Sequence, residues 1–464
     1  MILTPQPAKF TPARDILDVP SLGDAVAPAT FPQHILRYRN DRWAQSVGLG
    51  ELGDAEWVNH FGRFAPLAGS LERPLALRYH GHQFRVYNPD IGDGRGFLFA
   101  QMRDHLGRLM DLGTKGSGQT PYSRFGDGRL TLKGGVREIL ATEMLEALGV
   151  YTSRSFSLIE TGEALERNDE PSPTRAAVLV RLSHSHIRIG SFQRAATLHD
   201  EGLLKALTDY ALTKLYDATP GENPAAQLLG LVVERTADLA ASYMIAGFVH
   251  GVLNSDNINI TGESFDYGPW RFTPLWEPGF TAAYFDHQGL YAFARQAEAI
   301  HWDVAQLALS LRTLSETEPL VDALNRFPEL YAAAMRRRFC WRLGIAEGDA
   351  DTTSALIESA VRAMIESKTP IDRFFFDWRG GVLRTPTSEQ HYTGPVWAEL
   401  KGNVASFANP AAASHIYWHG EAPCSMHIDE VEAIWAAIDT RDDWTMLEAK
   451  IAQIADLREA MSGP

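Results

Sequence analysis

Asn257 and Asp266 are oxygen donors of the hard type that Mg²⁺ takes. Both follow closely on a helix end, in the runs His250-Gly251-Val252-Leu253-Asn254-Ser255-Asp256-Asn257 and Asp266-Tyr267-Gly268. An amide and a carboxylate, completed by phosphate oxygens and water, suffice for such an ion. Asp256 places a second carboxylate beside them. Earlier in the chain, Gly92-Asp93-Gly94-Arg95-Gly96 and Gly113-Thr114-Lys115-Gly116-Ser117-Gly118 offer glycines that let backbone N–H groups approach a phosphate closely, with a cation in each run. The first run also reads as a plain hairpin turn. The second is not a Walker A loop, because the Gly-x4-Gly-Lys-Ser/Thr spacing is absent. Lys115 is either a solvated surface lysine or a phosphate-binding lysine at a strand end, and in the second case it needs an acid to hold it. Glu138, on the next helical stretch, is that acid. Arg181 and Arg188 bring guanidinium forks that match phosphate oxygens, or else form ordinary salt bridges. His184 and His186 alternate as on one strand face; with no third ligand in sight they read as structural or hydrogen-bonding residues rather than a metal pair.

A strand lysine held by a helix glutamate is the protein-kinase arrangement for the α- and β-phosphates. Small-molecule kinases also carry a loop of the form His-Gly-Asp-x4-Asn, with a metal-binding Asp about ten residues further on, in which the loop Asp is the base. Here Val252 occupies the base position, while Asn257 and Asp266 keep the metal positions and Asp256 is a displaced carboxylate. Either the protein is catalytically inactive, or the nucleotide lies differently and another phosphorus is attacked.

The elements that must position these residues follow from pattern. Val86–Tyr87, Gly96–Ala100, Arg108–Leu112 and Ala176–Leu182 read as strands between Gly or Asp turns. A helix runs from Gly135 through Leu148 to a stop at Gly149. Leu229, Val232, Val233, Thr236, Ala240, Tyr243, Met244 and Gly247 share one helical face that leads into His250-Gly251. Two late helices are expected near Glu430–Ile438 and Trp444–Met461. A Gly-rich β half followed by a helical half, with a polar loop at the join, predicts an α+β, two-lobed protein-kinase-like fold with N-terminal and C-terminal extensions, and not a doubly wound sheet. The expected divisions are an N-terminal extension over 1–70 packing on the core, a β-rich nucleotide-binding lobe over 71–198, a helical lobe with the metal loop over 199–370, and a C-terminal extension over 371–464.

Composition narrows the partners. The chain has 464 residues, 45% hydrophobic and 22% charged, which is ordinary for a globular protein with a sizeable core. A formal charge of −15 repels phosphate backbones, so nucleic acid is not expected as a partner, although a small basic pocket for a nucleotide is compatible with it. Two cysteines without zinc spacing, no secretory leader and no apolar run of about 20 residues point to a reduced, cytoplasmic setting away from membranes.

These motifs together resemble the selenoprotein O / YdiU family of kinase-like protein adenylyltransferases. The matching stretches are Gly81-His-Gln-Phe84, Asn88-Pro-Asp-Ile-Gly-Asp-Gly-Arg95, Lys115-Gly-Ser-Gly-Gln-Thr-Pro-Tyr-Ser-Arg124, Asp127-Gly-Arg129, Arg137-Glu138, Ser185-His-Ile-Arg188, His250 to Asn257, Asp266-Tyr-Gly-Pro269, Pro278-Gly-Phe280 and Tyr291-Ala-Phe293. The resemblance implies AMP transfer from ATP to Ser, Thr or Tyr hydroxyls of protein substrates, with release of pyrophosphate and dependence on Mg²⁺ or Mn²⁺. It implies an inverted ATP, γ-phosphate buried and α-phosphorus facing the hydroxyl. Gly92, Gly94, Arg95, Lys115, Asp127, Gly128, Arg181, Arg188 and Asp266 would line the nucleotide, with Glu138 holding Lys115, Asn257 and Asp266 binding the metal, and Asp256 accepting the proton. UMP transfer from UTP with manganese, a non-catalytic nucleotide-binding pseudokinase and, last, an ordinary γ-phosphoryl kinase are the competing readings. The chain departs from the family pattern at Gln296-Ala297, Trp302-Asp303, Arg85 and Phe125, and it has no cysteine after Cys424, so a C-terminal redox motif is not expected.

Overall fold

Alternation of side chains decides the first half of the molecule. In the strand Thr174–Ser183, Val178, Val180 and Leu182 join one apolar cluster with Trp43, Trp57, Phe61, Phe99 and Phe156, while Ala177 and Leu179 join another with Val136, Ile139 and Leu140. A strand apolar on both faces belongs at the centre of a covered sheet. The computed structural model, which describes residues 4–168, 170–384 and 386–462, places it there. Met1–Leu3, Asp169, Thr385 and the terminal Gly463–Pro464 lie outside the described residues. The sheet has nine antiparallel strands, with Gly23–Ala25, Leu75–Leu77, Leu98–Arg103, Leu109–Lys115, Thr174–Ser183, Arg154–Leu165 and Ile35–Arg39 in spatial order, Thr11–Ala13 pairing on Leu98–Arg103 and Leu130–Thr131 on Thr174–Ser183. Of the expected strands, Ala176–Leu182 lies within Thr174–Ser183, Gly96–Ala100 is shifted to Leu98–Arg103, Arg108–Leu112 is replaced by a longer strand that reaches Lys115, and Val86–Tyr87 pairs outside this sheet in a separate hairpin with Gly81–Gln83. Arg154–Leu165, the longest strand, was not anticipated, because its serines, threonine and glutamates dilute the apolar signal. Residues before 70 supply three of the nine strands.

Helix Leu132–Ala147 lies against this sheet. Thr131 caps it by accepting from the Gly134 N–H at 3.1 Å. Gly135 faces Leu158 so closely that a Cβ would stand 2.4 Å from its Cδ1. The helix is buried on nearly all sides, because the late helices Ile428–Arg441 and Thr445–Ser462, both where pattern put them, cover its outer face. Arg458 there forms an ion pair with buried Glu143 and reaches Glu146 at 3.4 Å, while Lys133 meets Glu432 at 2.7 Å. Without Arg458, Glu143 keeps the hydrogen bonds from Tyr38 and Asn40 and Glu146 keeps Arg42, so Arg458→Ala is expected to destabilise the protein by about 1–3 kcal/mol. A thermal or urea melt measures this, and an unchanged transition would show that the C-terminal helices do not brace Leu132–Ala147 through Arg458.

The second half is helical, and the mixed architecture is that of a two-lobed α+β kinase-like fold. Its central helix, Pro224–Ala246, starts with Asn223 capping the Ala226 N–H at 3.1 Å and Pro224 at the first position; it stops at Gly247, whose φ of 69° ends the helix in the left-handed region. That stop delivers the chain through Phe248–Val249, paired with Arg271–Phe272, into His250. No helix among the described residues is long and apolar enough to cross a membrane.

Candidate active site

His250 fixes the loop that follows it. Its backbone N–H donates to Gln296 Oε1 at 3.0 Å, and burial holds its imidazole below the usual range, so the ring is neutral. Nε2 then carries the proton and donates to the Phe265 carbonyl at 3.0 Å, tying this loop to the segment before Asp266. A second clamp comes from the hairpin Gly81–Gln83/Val86–Asn88. Its His82 and Phe84 N–H groups donate to Ser255 Oγ (2.7 Å) and Asn254 Oδ1 (3.0 Å), and Asn254 also accepts from the Tyr291 hydroxyl at 2.7 Å. Gly81 is required here: a Cβ would lie 2.8 Å from that of Asp256.

Between this loop and the sheet lies a cleft of about 820 Å³. Gly92, Gly94, Arg95, Lys115, Asp127, Gly128, Arg181, Arg188, Asp256, Asn257 and Asp266 all line it. Glu138 does not, but forms a buried ion pair with Lys115 from helix Leu132–Ala147. Lys115 ends its strand opposite Leu179, and Arg181 pairs with Gly113, so the sheet register brings lysine and arginine to the same end of the cleft. Lys115 Nζ lies 3.0 Å and Arg181 Nη1 3.3 Å from Asp266 Oδ1, with Arg188 Nη1 4.0 Å from Oδ2. Burial alone would raise the Asp266 acid, but Lys115, Arg181 and Arg188 hold it well below the carboxylate range. Its φ of 66° is left-handed, an uncommon conformation that aspartate tolerates better than most residues.

Asp256 has the opposite environment. Burial pushes its acid up to about 6, against the pull of Arg188, and its Oδ1 is buried without a hydrogen-bond partner. Arg188 donates to the Asp256 main-chain carbonyl at 2.9 Å instead of to the carboxylate. Asn257 donates its amide N–H to the Val252 carbonyl at 3.0 Å, which commits the nitrogen and leaves the amide oxygen as the free donor atom. An amide oxygen and an ionised carboxylate on one cleft are the donor set of a hard divalent cation. Among the described residues no three His, Cys, Asp or Glu side chains cluster as a metal site, so such an ion would depend on ligand oxygens as well.

The glycine run packs on a covering loop. A Cβ on Gly92 would stand 2.5 Å from the Tyr122 ring, and Thr120 Oγ1 and Ser123 Oγ each donate at 2.5 Å, to the Asp93 and Gly94 carbonyls. Arg95 is exposed and has no ion-pair partner among the described residues, which leaves its guanidinium open to an anion. Asp127 sits at the rim, its carboxylate held by Arg167 at 2.8 and 3.1 Å. The two histidines do not share a strand face, because the strand ends at Ser183 and Ser185 turns to a φ of 86°. His184, buried, meets the Tyr151 hydroxyl at 2.7 Å and has its acid pushed down to about 3, so it stays neutral; His186 donates its backbone N–H to Asp111 at 2.9 Å.

The chain matches the family model described as protein adenylyltransferase SelO over residues 10–393. It belongs to the SelO family. It is 46% identical to a protein nucleotidyltransferase YdiU of a Synechocystis species over 446 residues, covering 91% of this chain and 92% of that one. A protein of the same description from Gloeobacter violaceus is 43% identical, covering 91% and 90%, and one from Vibrio parahaemolyticus is 36% identical, covering 72% and 68%. As a SelO-family member the chain is a nucleotidyltransferase. Two cleft residues and one behind them were not singled out from sequence: Asp93, which accepts from the Leu77 N–H at 3.0 Å and faces Arg188 at 3.6 Å, Tyr79 on the cleft and buried Phe265, whose rings lie 4.2 and 4.8 Å from the Arg188 guanidinium. Asp93 stands inside the Gly-Asp-Gly run and Phe265 beside Asp266, so proximity to a motif was their only signal; Tyr79 had none.

Proposed function

We propose that the protein transfers AMP from ATP to Ser, Thr or Tyr hydroxyls of protein substrates, with Mg²⁺ or Mn²⁺. One observation carries the reading: the cations Lys115, Arg181 and Arg188 converge on one end of the cleft, while the position of a kinase base holds Val252 and a displaced carboxylate on the cleft, Asp256, is buried with its Oδ1 lacking a hydrogen-bond partner. Guanidinium and ammonium groups suit the phosphates that leave, so the β- and γ-phosphates belong with Lys115, Arg181 and Arg188. Lys115 is positioned by Glu138. The hydroxyl oxygen then attacks the α-phosphorus, the bond from that phosphorus to the α–β bridging oxygen breaks, and pyrophosphate departs toward the arginines. Asp256, whose raised acid makes it a competent acceptor near neutral pH, takes the hydroxyl proton. Asn257 and Asp266 would hold the divalent ion, which when bound neutralises phosphate oxygens.

ATP labelled at the α or the γ position tests this. The α-label is expected on protein and the γ-label in free pyrophosphate. Protein labelled from γ and not from α would restore a kinase. UTP is the competing donor, since the relatives carry the broader description of nucleotidyltransferase; an excess of unlabelled UTP that failed to reduce α-label transfer from ATP supports ATP.

A further inference from the structure

The cleft has a polar, cationic deep end and one apolar aromatic at its mouth. Phe125 lines the cleft and is fully exposed. A single exposed phenylalanine on a surface needs no explanation. This one is presented by a built turn. Thr120 and Ser123 fasten its leading stem to the glycine run at 2.5 Å each, and Arg167 fastens Asp127 on its trailing side. Across the turn, the Gly126 N–H donates to the Ser123 carbonyl at 2.7 Å and Gln119 Nε2 donates to the Gly126 carbonyl at 2.8 Å. Arg124 just before it takes a φ of 53°, unusual for a side chain of that size. The stems are held at both ends while the ring itself is left without neighbours.

We infer that Phe125 is the base platform of this cleft: its ring covers the nucleobase of the bound nucleoside triphosphate, favouring a purine over a pyrimidine. This rests on the nucleotide reading above. With the phosphates drawn to Lys115, Arg181 and Arg188, the base is the part of the ligand left toward the mouth, and a triphosphate has nothing to gain from a phenyl face whereas a base does. The larger purine gives the larger overlap. Phe125 therefore acts on donor choice and affinity, not on the chemical step.

Calorimetric titration of the full chain with ATP, UTP and inorganic tripolyphosphate, each with Mg²⁺, separates the terms. Phe125→Ala is expected to bind ATP about tenfold more weakly, UTP less affected, and tripolyphosphate unchanged; Phe125→Tyr is expected to restore ATP binding. In the transfer assay the KM for ATP is expected to rise with kcat nearly constant. Wild-type protein that binds ATP no better than the Ala variant overturns the inference and leaves the nucleotide reading standing. Equal loss of tripolyphosphate would make Phe125 a packing residue of its loop, and a rise in the KM for protein substrate alone would assign it to that partner; either overturns it. Wild-type protein that bound neither ATP nor tripolyphosphate would remove the nucleotide reading and this inference together.

Discussion

Asp266→Asn is expected to lower nucleotide transfer by about three orders of magnitude while leaving the fold intact. Asparagine tolerates the left-handed backbone that Asp266 adopts and nearly matches its volume, so the variant isolates the charge. That charge has two duties. It faces Lys115, Arg181 and Arg188, and in the proposed site it also holds the divalent ion with Asn257. Removing it takes a negative group away from an incoming triphosphate, so binding of ATP in EDTA is expected to be as strong as in wild type or stronger. The gain in affinity that metal confers on wild type is expected to vanish. Turnover thus falls while metal-free affinity is kept or raised, which general damage to the site does not produce. Asp256→Ala is expected to behave otherwise: turnover falls by about 10²–10⁴-fold with nucleotide affinity nearly unchanged, because a proton acceptor acts in the transition state. Initial rates and calorimetry with and without EDTA check both variants. Normal metal-dependent turnover in Asp266→Asn would show that this carboxylate is only a counter-ion for the three cations.

What was legible in the sequence was local, and what was hidden was long-range. The helical face leading to His250-Gly251 was plain in the pattern, and with it the place where the His250 loop begins, although the stop at Gly247 was not read from it. The helix bearing Glu138 was likewise visible, and the strand before Lys115 was expected, though only to Leu112; its extension to Lys115 made the pairing that sequence had left as one of two readings. Arg154–Leu165 was not, since a strand with one face under a helix and the other under Trp57 and Phe61 tolerates Ser157, whose hydroxyl accepts from Trp57 Nε1 at 2.8 Å. Polar residues satisfied by distant partners look like loop in a linear reading. The same reasoning covers the strands before residue 70, each too short to show a period, and the hairpin around Phe84-Arg85, whose two turn residues both have positive φ without being glycine. That turn is held by Asn254 and by Phe84 packing 5.0 Å from the Tyr291 ring, contacts more than 150 residues away in the chain. Tyr79 is the extreme case: nothing beside it hints that it will cover Arg188.

Lys115→Ala is expected to reduce turnover by about 10²–10³-fold, and Glu138→Ala by a large part of the same factor although Glu138 does not line the cleft. A lysine stem is flexible, and its ammonium acts on a phosphate only if something fixes it. The buried ion pair with Glu138 does the fixing, supported from behind by the packing of helix Leu132–Ala147 between the sheet and Thr445–Ser462. Residues that work as one unit lose their effect once, so the double variant is expected to be scarcely slower than Lys115→Ala. Stability gives an independent readout of the same pair. Glu138 is buried, with Oε2 lacking any hydrogen-bond partner, so removing Lys115 alone strands its carboxylate at a cost of about 3 kcal/mol or more. Removing Glu138 as well relieves that penalty, and the double variant is expected to melt higher than Lys115→Ala. Rates that simply multiply, together with melting shifts that simply add, would make Lys115 and Glu138 independent residues. Lys115 would then owe its position to Asp266 alone, and helix Leu132–Ala147 would have no part in placing the phosphate-binding cation.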